Sequence, residues 1–390
     1  MDGIDKLAQE ALIQKNVGKR IQQLRKGQKL NTVALAEKSG ISQGQLSKIE
    51  NGKATISIKN LAAICRVLDH PVSDLFQNEE NRQTGKDPVT IVTAIAGLEH
   101  QGLHWFEREI FRHTNGAISL NTLGTVQFGP VHEQIDLLIN GEIDLFVEEL
   151  VHFDRIAPKL KQFHLPYCFA TQEKRLAFLR SNYFRDNVTN VLLEKGIRCL
   201  NPRWNWSRGL ARVIISNRPI ITPGDVKGLR VRIYESEIQE KFWERMGAIP
   251  ILVPYAEVRQ AIDSGKVDAV PMSKELLYRQ ELCCNARFVT NLGDLDRIMG
   301  IFIAEKKYRS FSPEIRNSLK NACNSTGDIF SINVKFAEEK NERLNMSRYG
   351  AAYIKVDLEP WRLETLRIRK ELMVEKMLSR TAWEAMENAC

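Results

Sequence analysis

No run of apolar residues in this 390-residue chain approaches the roughly 20 needed to cross a bilayer, which sets integral membrane helices aside. The first ten residues, Met-Asp-Gly-Ile-Asp-Lys-Leu-Ala-Gln-Glu, lack the basic start and apolar run of a secretory signal, so a cytoplasmic protein is expected. Seven cysteines (65, 168, 199, 283, 284, 323 and 390) are odd in number and scattered. No Cys-x-x-Cys pair or Cys/His ligand spacing appears, which argues against a zinc site and a disulfide framework. The seven histidines are dispersed too; His100 and His104 stand four apart near a helix start but lack an obvious third ligand. Gly-x-Ser-x-Gly, a phosphate-binding loop and a paired His/Cys nucleophile are all missing. The expectation is a protein that is not an enzyme and holds neither cofactor nor metal.

What is there begins with charge. The formal net charge is +8, yet residues 15–66 hold eleven Lys/Arg against two acids, so the remainder is close to neutral. Basicity confined to one short segment fits phosphate contact at that segment. An apolar share of 43% and a charged share of 27% are ordinary for a globular protein, and the length suggests two or three domains.

The basic segment contains Asn-Thr-Val-Ala-Leu-Ala-Glu-Lys-Ser-Gly-Ile-Ser-Gln-Gly-Gln-Leu-Ser-Lys-Ile-Glu-Asn-Gly, residues 31–52. It reads as two short helices joined by a tight turn. Ala36 is small where two helix backbones must approach, and Gly40 sits where the turn requires a positive φ. Ser42 is a natural N-cap, and Gly52 ends the second helix. Ile41, Leu46 and Ile49 form its apolar stripe and leave Gln43, Gly44, Ser47 and Lys48 on the other side. Val17, Ile21 and Leu24 give a helical stripe before this pair. Ile58, Leu61, Ile64, Cys65 and Leu68 give one after it, and Val72, Leu75 and Phe76 close a small all-α bundle. Its expected extent is 15–76.

With Ile49-Glu50-Asn51-Gly52-Lys53 following the second helix, this bundle resembles the Cro/repressor-type (XRE) helix-turn-helix family. The resemblance implies docking on double-stranded DNA as a homodimer, the second helix lying in the major groove. It makes Gln43, Gly44, Ser47 and Lys48 candidate base readers, since Gln pairs with adenine and Lys reaches guanine O6/N7. Gly44 departs from the family pattern, where a side chain often stands; the position has fewer direct contacts or a closer backbone approach. Thr32, Asn51 and Lys53 become candidate phosphate contacts, which position without specifying.

Residues 77–88 are polar, lack apolar periodicity and end in Asp-Pro, as a linker does. From 89 onward strand and helix signals alternate. Strands are predicted at 89–95, 117–123, 143–147, 210–216, 229–233, 249–253 and 267–270, with helices at 103–113, 131–139, 238–246 and 256–263. This spacing predicts a largely parallel α/β architecture in two sheets, because the series is interrupted near 150–205. Beyond 312 the chain reads as helical to about 343, with a short strand near 352–356 and a helix from 359 to the end. The apolar residues of 360–390 exceed what an exposed helix should show, so 346–390 is expected to pack on the lobes or a dimer partner.

Within this region stand Gly-Leu-Ala-Arg212, Ser-Asn-Arg-Pro-Ile220, Thr-Pro-Gly-Asp-Val-Lys-Gly-Leu-Arg-Val-Arg232-Ile, Met-Gly-Ala-Ile-Pro250 and Glu257-Val-Arg-Gln-Ala-Ile-Asp-Ser-Gly-Lys-Val-Asp268. Upstream are Thr-Asn-Gly116, Gly141-Glu-Ile-Asp-Leu-Phe and Phe163-His-Leu-Pro-Tyr167. Residues 89–345 thereby resemble the DctP-type solute-binding proteins of TRAP transporters. The resemblance implies a periplasmic-binding-protein-like domain of two α/β lobes that close on a small organic acid. Arg232 matches the arginine that clamps a carboxylate, whose planar guanidinium gives two parallel charge-assisted bonds. Strand alternation puts Arg230 on the same face as Arg232. Arg212 matches a second cleft arginine. Glu149 matches an acidic residue lining the site, with Glu148 as its competitor. Met272 stands where the family usually has Asn, which implies a more apolar ligand or a pocket that no longer binds tightly. Trp204, Trp206, Phe128 and Tyr255 are cleft or core.

Together these readings predict a sequence-specific DNA-binding regulator whose two-lobed domain senses a small carboxylate, without membrane association. The alternatives are a repressor whose C-terminal domain only dimerises, and a transport-related solute-binding protein.

Overall fold

Short polar residues set the helix ends of the N-terminal bundle. In the computed structural model the described residues are 3–54, 56, 58–70, 75, 89–95, 100–124, 130–208, 212–295 and 297–389. The expected linker 77–88 and the residues Val72, Phe76 and Phe128 lie outside them. Helices α1 (Gly3–Gly27), α2 (Thr32–Ser39), α3 (Gln43–Glu50) and α4 (Ile58–Leu68) form the bundle. The Asn31 side chain accepts the Ala34 N–H at 2.7 Å to open α2, and Gly40 closes it at φ 70°. Ser42 opens α3 by accepting the Gln45 N–H at 3.2 Å, and Asn51 caps its far end one residue before Gly52. Val17, Ile21, Leu35, Ala36, Leu46, Ile49, Leu61, Ile64, Cys65, Leu68 and Leu75 are the buried core. A Cβ on Gly18 would collide with the Ile49 carbonyl oxygen and lie 2.9 Å from that of Glu50, so α1 crosses α3 at a distance only glycine allows.

Eleven strands follow among the described residues: β1 (Val89–Ile95), β2 (Ile118–Gly124), β3 (Leu145–Glu149), β4 (Ile197–Cys199), β5 (Arg212–Ser216), β6 (Arg230–Ile233), β7 (Ile249–Leu252), β8 (Ala269–Ser273), β9 (Phe288–Asn291), β10 (Met299–Ala304) and β11 (Ala352–Lys355). The chain divides into two units. The first comprises Met1–Glu148, Leu193–Leu200 and Ile301–Thr326; the second comprises Glu149–Leu192, Asn201–Gly300 and Gly327–Cys390.

The sheet of the first unit has the order β2-β1-β3-β10-β4, with β1 parallel to β2 and β3, and β10 antiparallel to β4. The sheet of the second has the order β11-β9-β5-β8-β6-β7. There β6 runs parallel to β7 and β8, and β9 parallel to β11, while β5 is antiparallel to both β8 and β9. Two sheets are present, but they are mixed, which corrects the expectation of a largely parallel architecture. Strand spacing carries no direction: β5 follows a crossing of the chain from one unit to the other after β4, so no βα crossover sets its sense.

The central strands β3, β5, β8 and β10 are buried at every residue, including Val213-Ile-Ile215 of β5 and Gly300-Ile-Phe-Ile303 of β10, as strands covered on both faces must be. Edge strands β7 and β11 are exposed at both ends. The helix Pro313–Tyr349 runs past 345, so the expected boundary there falls inside one element. Two helices, Glu359–Val374 and Arg380–Glu387, take the place of the single one expected from 359 onward.

Candidate functional site

On α3, Gln43, Gly44, Ser47 and Lys48 are exposed while Leu46 and Ile49 are buried, as the 3.6-residue period requires. Gln45 is exposed as well and was not singled out by the apolar-stripe reading. Space around the missing Gly44 side chain is open. Thr32 is the half-buried first residue of α2, and Lys53 is exposed. Asn51 spends its amide locally, donating from Nδ2 to the Ser47 carbonyl at 2.7 Å. Exposed Lys15, Lys19 and Lys26 on α1 and Lys38 on α2 add positive charge to the same unit.

A buried pair locks this surface in place. Arg25 donates from Nε to Glu50 Oε1 at 2.6 Å and from Nη2 to Oε2 at 2.8 Å. Its Nη1 donates to the Leu30 carbonyl at 2.8 Å. The hydrogen bonds and charge of Glu50 raise the Arg25 guanidinium above its ordinary value against the opposing effect of burial. Arg25 thus takes the core position expected for Leu24, which is only half-buried.

The second unit contains a buried arginine cluster. β5 supplies Arg212 at its first residue and β6 supplies Arg232. Arg212 donates from Nη2 to Gln239 Oε1 at 3.2 Å, and its Nε lies 3.7 Å from Asp294 Oδ1. Glu149, the last residue of β3, pairs with Arg297 and lies 3.5 Å from Arg208 Nη1. Arg208 Nε also lies 3.5 Å from Glu275 Oε1. Burial pushes the carboxyl groups of Asp294 and Glu275 upward, with Arg212 and Arg208 respectively opposing it.

Arg232 is the exception in this cluster. It is 8% exposed and donates from Nε to the Val253 carbonyl at 3.0 Å. Among the described residues no carboxylate pairs with it. Burial, then repulsion from Arg297 and Arg212, pulls its guanidinium down to about 10. Arg230, expected on the same face, instead holds Asp268 through bonds of 2.9 and 2.6 Å near the surface. Met272 is buried on β8, in register with Val213 beside Arg212.

Beyond Arg232 on the same strand face, Tyr234 meets His164 Nδ1 at 2.8 Å, and His164 Nε2 meets Asp154 Oδ2 at 3.2 Å. Burial raises the Tyr234 phenol to about 12 and lowers neighbouring His152 to about 4. Trp204 and Trp206 are core; Tyr255 is exposed and accepts from Gln280 at 3.0 Å. A larger surface hollow of about 660 Å³, lined by Leu176, Ala177, Tyr183 and Ala385, gathers no buried charge. Arg208, Glu275, Asp294 and Arg297 were missed because they belong to no motif that was read, and His164 lay in the quoted Phe163–Tyr167 segment without being given a role. The one available signal was charge inside the otherwise apolar stretch 292–304.

Residues 91–376 match the family described as bacterial extracellular solute-binding protein, family 7, and residues 21–75 match the helix-turn-helix family. The C4-dicarboxylate-binding periplasmic protein DctP of Rhodobacter capsulatus is 24% identical over 264 residues, covering 66% of this chain and 76% of that protein. The TRAP periplasmic solute-binding protein of Sulfitobacter sp. NAS-14.1, solved with bound β-D-galacturonate, superposes with a TM-score of 0.69 at 20% identity, covering 77% of this chain and 100% of that one. That of Shewanella oneidensis, solved with bound succinate, gives 0.67 at 19% identity, covering 77% and 99%.

Proposed function

Because the chain belongs to the bacterial extracellular solute-binding protein family 7 over residues 91–376 and carries a helix-turn-helix domain over 21–75, we propose that it is a DNA-binding regulator responding to a small carboxylate. The observation that carries the ligand half is Arg232. A buried guanidinium with no carboxylate partner among the described residues, flanked by Arg212 and Arg297, is a standing site for an anion. Two parallel hydrogen bonds from one guanidinium to one carboxylate would satisfy it. The relatives named for C4-dicarboxylates and the neighbours holding succinate and galacturonate support an organic acid as that anion.

The DNA half rests on the exposed polar face of α3 and the surrounding lysines. Phosphates attract the lysines regardless of sequence, while Gln43, Ser47 and Lys48 meet base edges. Work on DNA places the protein in the cytoplasm in this reading, unlike its periplasmic relatives. Two half-sites call for two copies. Ligand alters DNA affinity to the extent that it binds the two DNA-binding states differently. No step of this reading calls for catalysis.

The experiment is a thermal-shift screen of wild type and Arg232→Ala against small mono- and dicarboxylates, galacturonate included. A ligand of the folded state raises the melting temperature by mass action. A rise in wild type that vanishes in Arg232→Ala establishes the carboxylate site. No rise with any acid leaves a domain that only dimerises, the reading that buried Met272 would then favour.

A further inference from the structure

The helix Pro313–Tyr349 is pinned along one side. Phe330 is buried, Asn341 donates to the Glu275 carbonyl at 2.7 Å, Asn345 donates to the Tyr353 hydroxyl at 3.0 Å, and Glu342 pairs with Lys274. Its opposite side carries Ile332, Phe336, Glu339, Arg343 and Met346, all exposed. Phe336 is 64% exposed, Ile332 57% and Met346 51%. Their separations of four, three, four and three residues are those of a heptad seam, which packs against a second helix. Neither Glu339 nor Arg343 forms an ion pair with a described residue, although they stand four apart.

We propose that this side of the helix is the two-fold interface of a homodimer, in which two copies of the helix lie antiparallel and cross at the level of residue 341. The charge order selects that arrangement. About a two-fold axis there, Phe336 faces Met346 of the second copy and Glu339 faces Arg343 of the second copy, and each contact occurs twice. A parallel pairing would set Glu339 against Glu339 and Arg343 against Arg343. Ile332 falls beside Gly350 of the second copy, where φ of 64° turns the chain off the helix and leaves room. The shared stretch of helix is about 25 Å long at the usual 1.5 Å rise per residue. That is a small interface, fitting a dimer in the micromolar range. It supplies the pair of reading helices that two half-sites require, and it holds whether or not the arginine cluster takes a carboxylate.

Sedimentation equilibrium of the full chain tests it, on wild type, Phe336→Glu, Glu339→Arg, Arg343→Glu and the double reversal. These side chains are exposed, so unchanged thermal melts accompany the variants. Wild type is expected to dimerise, and Phe336→Glu is expected to weaken the dimer about thirtyfold. Each single reversal weakens the dimer about tenfold, and the double reversal returns to within about threefold of wild type. A monomeric wild type, a dimer indifferent to Phe336→Glu, or a double reversal as weak as either single one overturns the proposal.

Discussion

Arg25 and Glu50 meet inside the helical bundle through two parallel hydrogen bonds of 2.6 and 2.8 Å, joining α1 to the last residue of α3. Both side chains are under a tenth exposed, so neither charge has water to fall back on. Removing one partner leaves the other stranded, which in buried pairs costs about 3–5 kcal/mol. Glu50→Gln is therefore expected to loosen the bundle and weaken DNA binding. Arg25→Met with Glu50→Leu should regain most of the stability. Amide hydrogen exchange of residues 17–50 reads both; a double variant as labile as the single one would refute a charge-pairing role.

Two glycines of the same bundle should respond in opposite directions. Gly18→Ala drives a methyl into the carbonyls of Ile49 and Glu50, so α1 must shift off α3 and the bundle is destabilised. Gly44→Ala meets nothing, and alanine is a better helix former by about 1 kcal/mol, so the free protein gains stability. The same methyl stands on the exposed face of α3. Affinity for a DNA fragment selected by the wild type is expected to fall, because backbone approach is lost. Unchanged affinity would make Gly44 a simple gap in the contact surface.

The local signals of the sequence were legible. The cap at Ser42 and the positive φ of Gly40 involve residues within three or four positions, and they stand as read. Interactions over long separations were not. Nothing around Arg25 announces a partner 25 residues away, and Arg297 and Glu149 come from segments with no pattern in common. Asn51 has the right chemistry for phosphate, and one of its two amide hydrogens is committed to the Ser47 carbonyl at the helix end. Arg232 was picked out by resemblance; that no carboxylate among the described residues pairs with it is visible only once burial and neighbours are known.

Arg232 carries a stability penalty that, in the proposed reading, a bound carboxylate relieves. Its guanidinium sits at about 10 in the fold, below the ordinary arginine value it regains on unfolding. A depression of that size corresponds to about 3 kcal/mol. The penalty is fully present below pH 10 and fades as pH climbs through 10 toward the unfolded value, where the fold sheds the proton first. At pH 7.5, Arg232→Met should therefore raise the melting temperature of the ligand-free protein while abolishing the carboxylate-induced rise. Carboxylate affinity of the wild type should hold steady to about pH 9 and decline above 10. A ligand-free Arg232→Met protein that melts lower than wild type would mark the arginine as a structural member.

Tyr234 should decide between acids with and without a hydroxyl group. Burial works against the charge of Asp154, yet the hydrogen bond with His164 holds its carboxyl below the usual range, so it accepts. His164 Nε2 then donates to it at 3.2 Å, and in the tautomer that leaves Nδ1 bare, Tyr234 Oη donates to Nδ1 at 2.8 Å. With its proton committed, Tyr234 has only lone pairs to offer beside Arg232, and a second carboxylate there would meet an acceptor. A ligand hydroxyl would meet its complement. Calorimetric titration with malate and succinate tests this: Tyr234→Phe should lose about tenfold in affinity for malate and little for succinate. His152, edge-on to the Tyr234 ring at 5.6 Å, keeps the ring packed in Tyr234→Phe as in wild type. Equal losses for both acids would reduce Tyr234 to packing, whereas a selective loss fixes the direction of hydrogen bonding at the site.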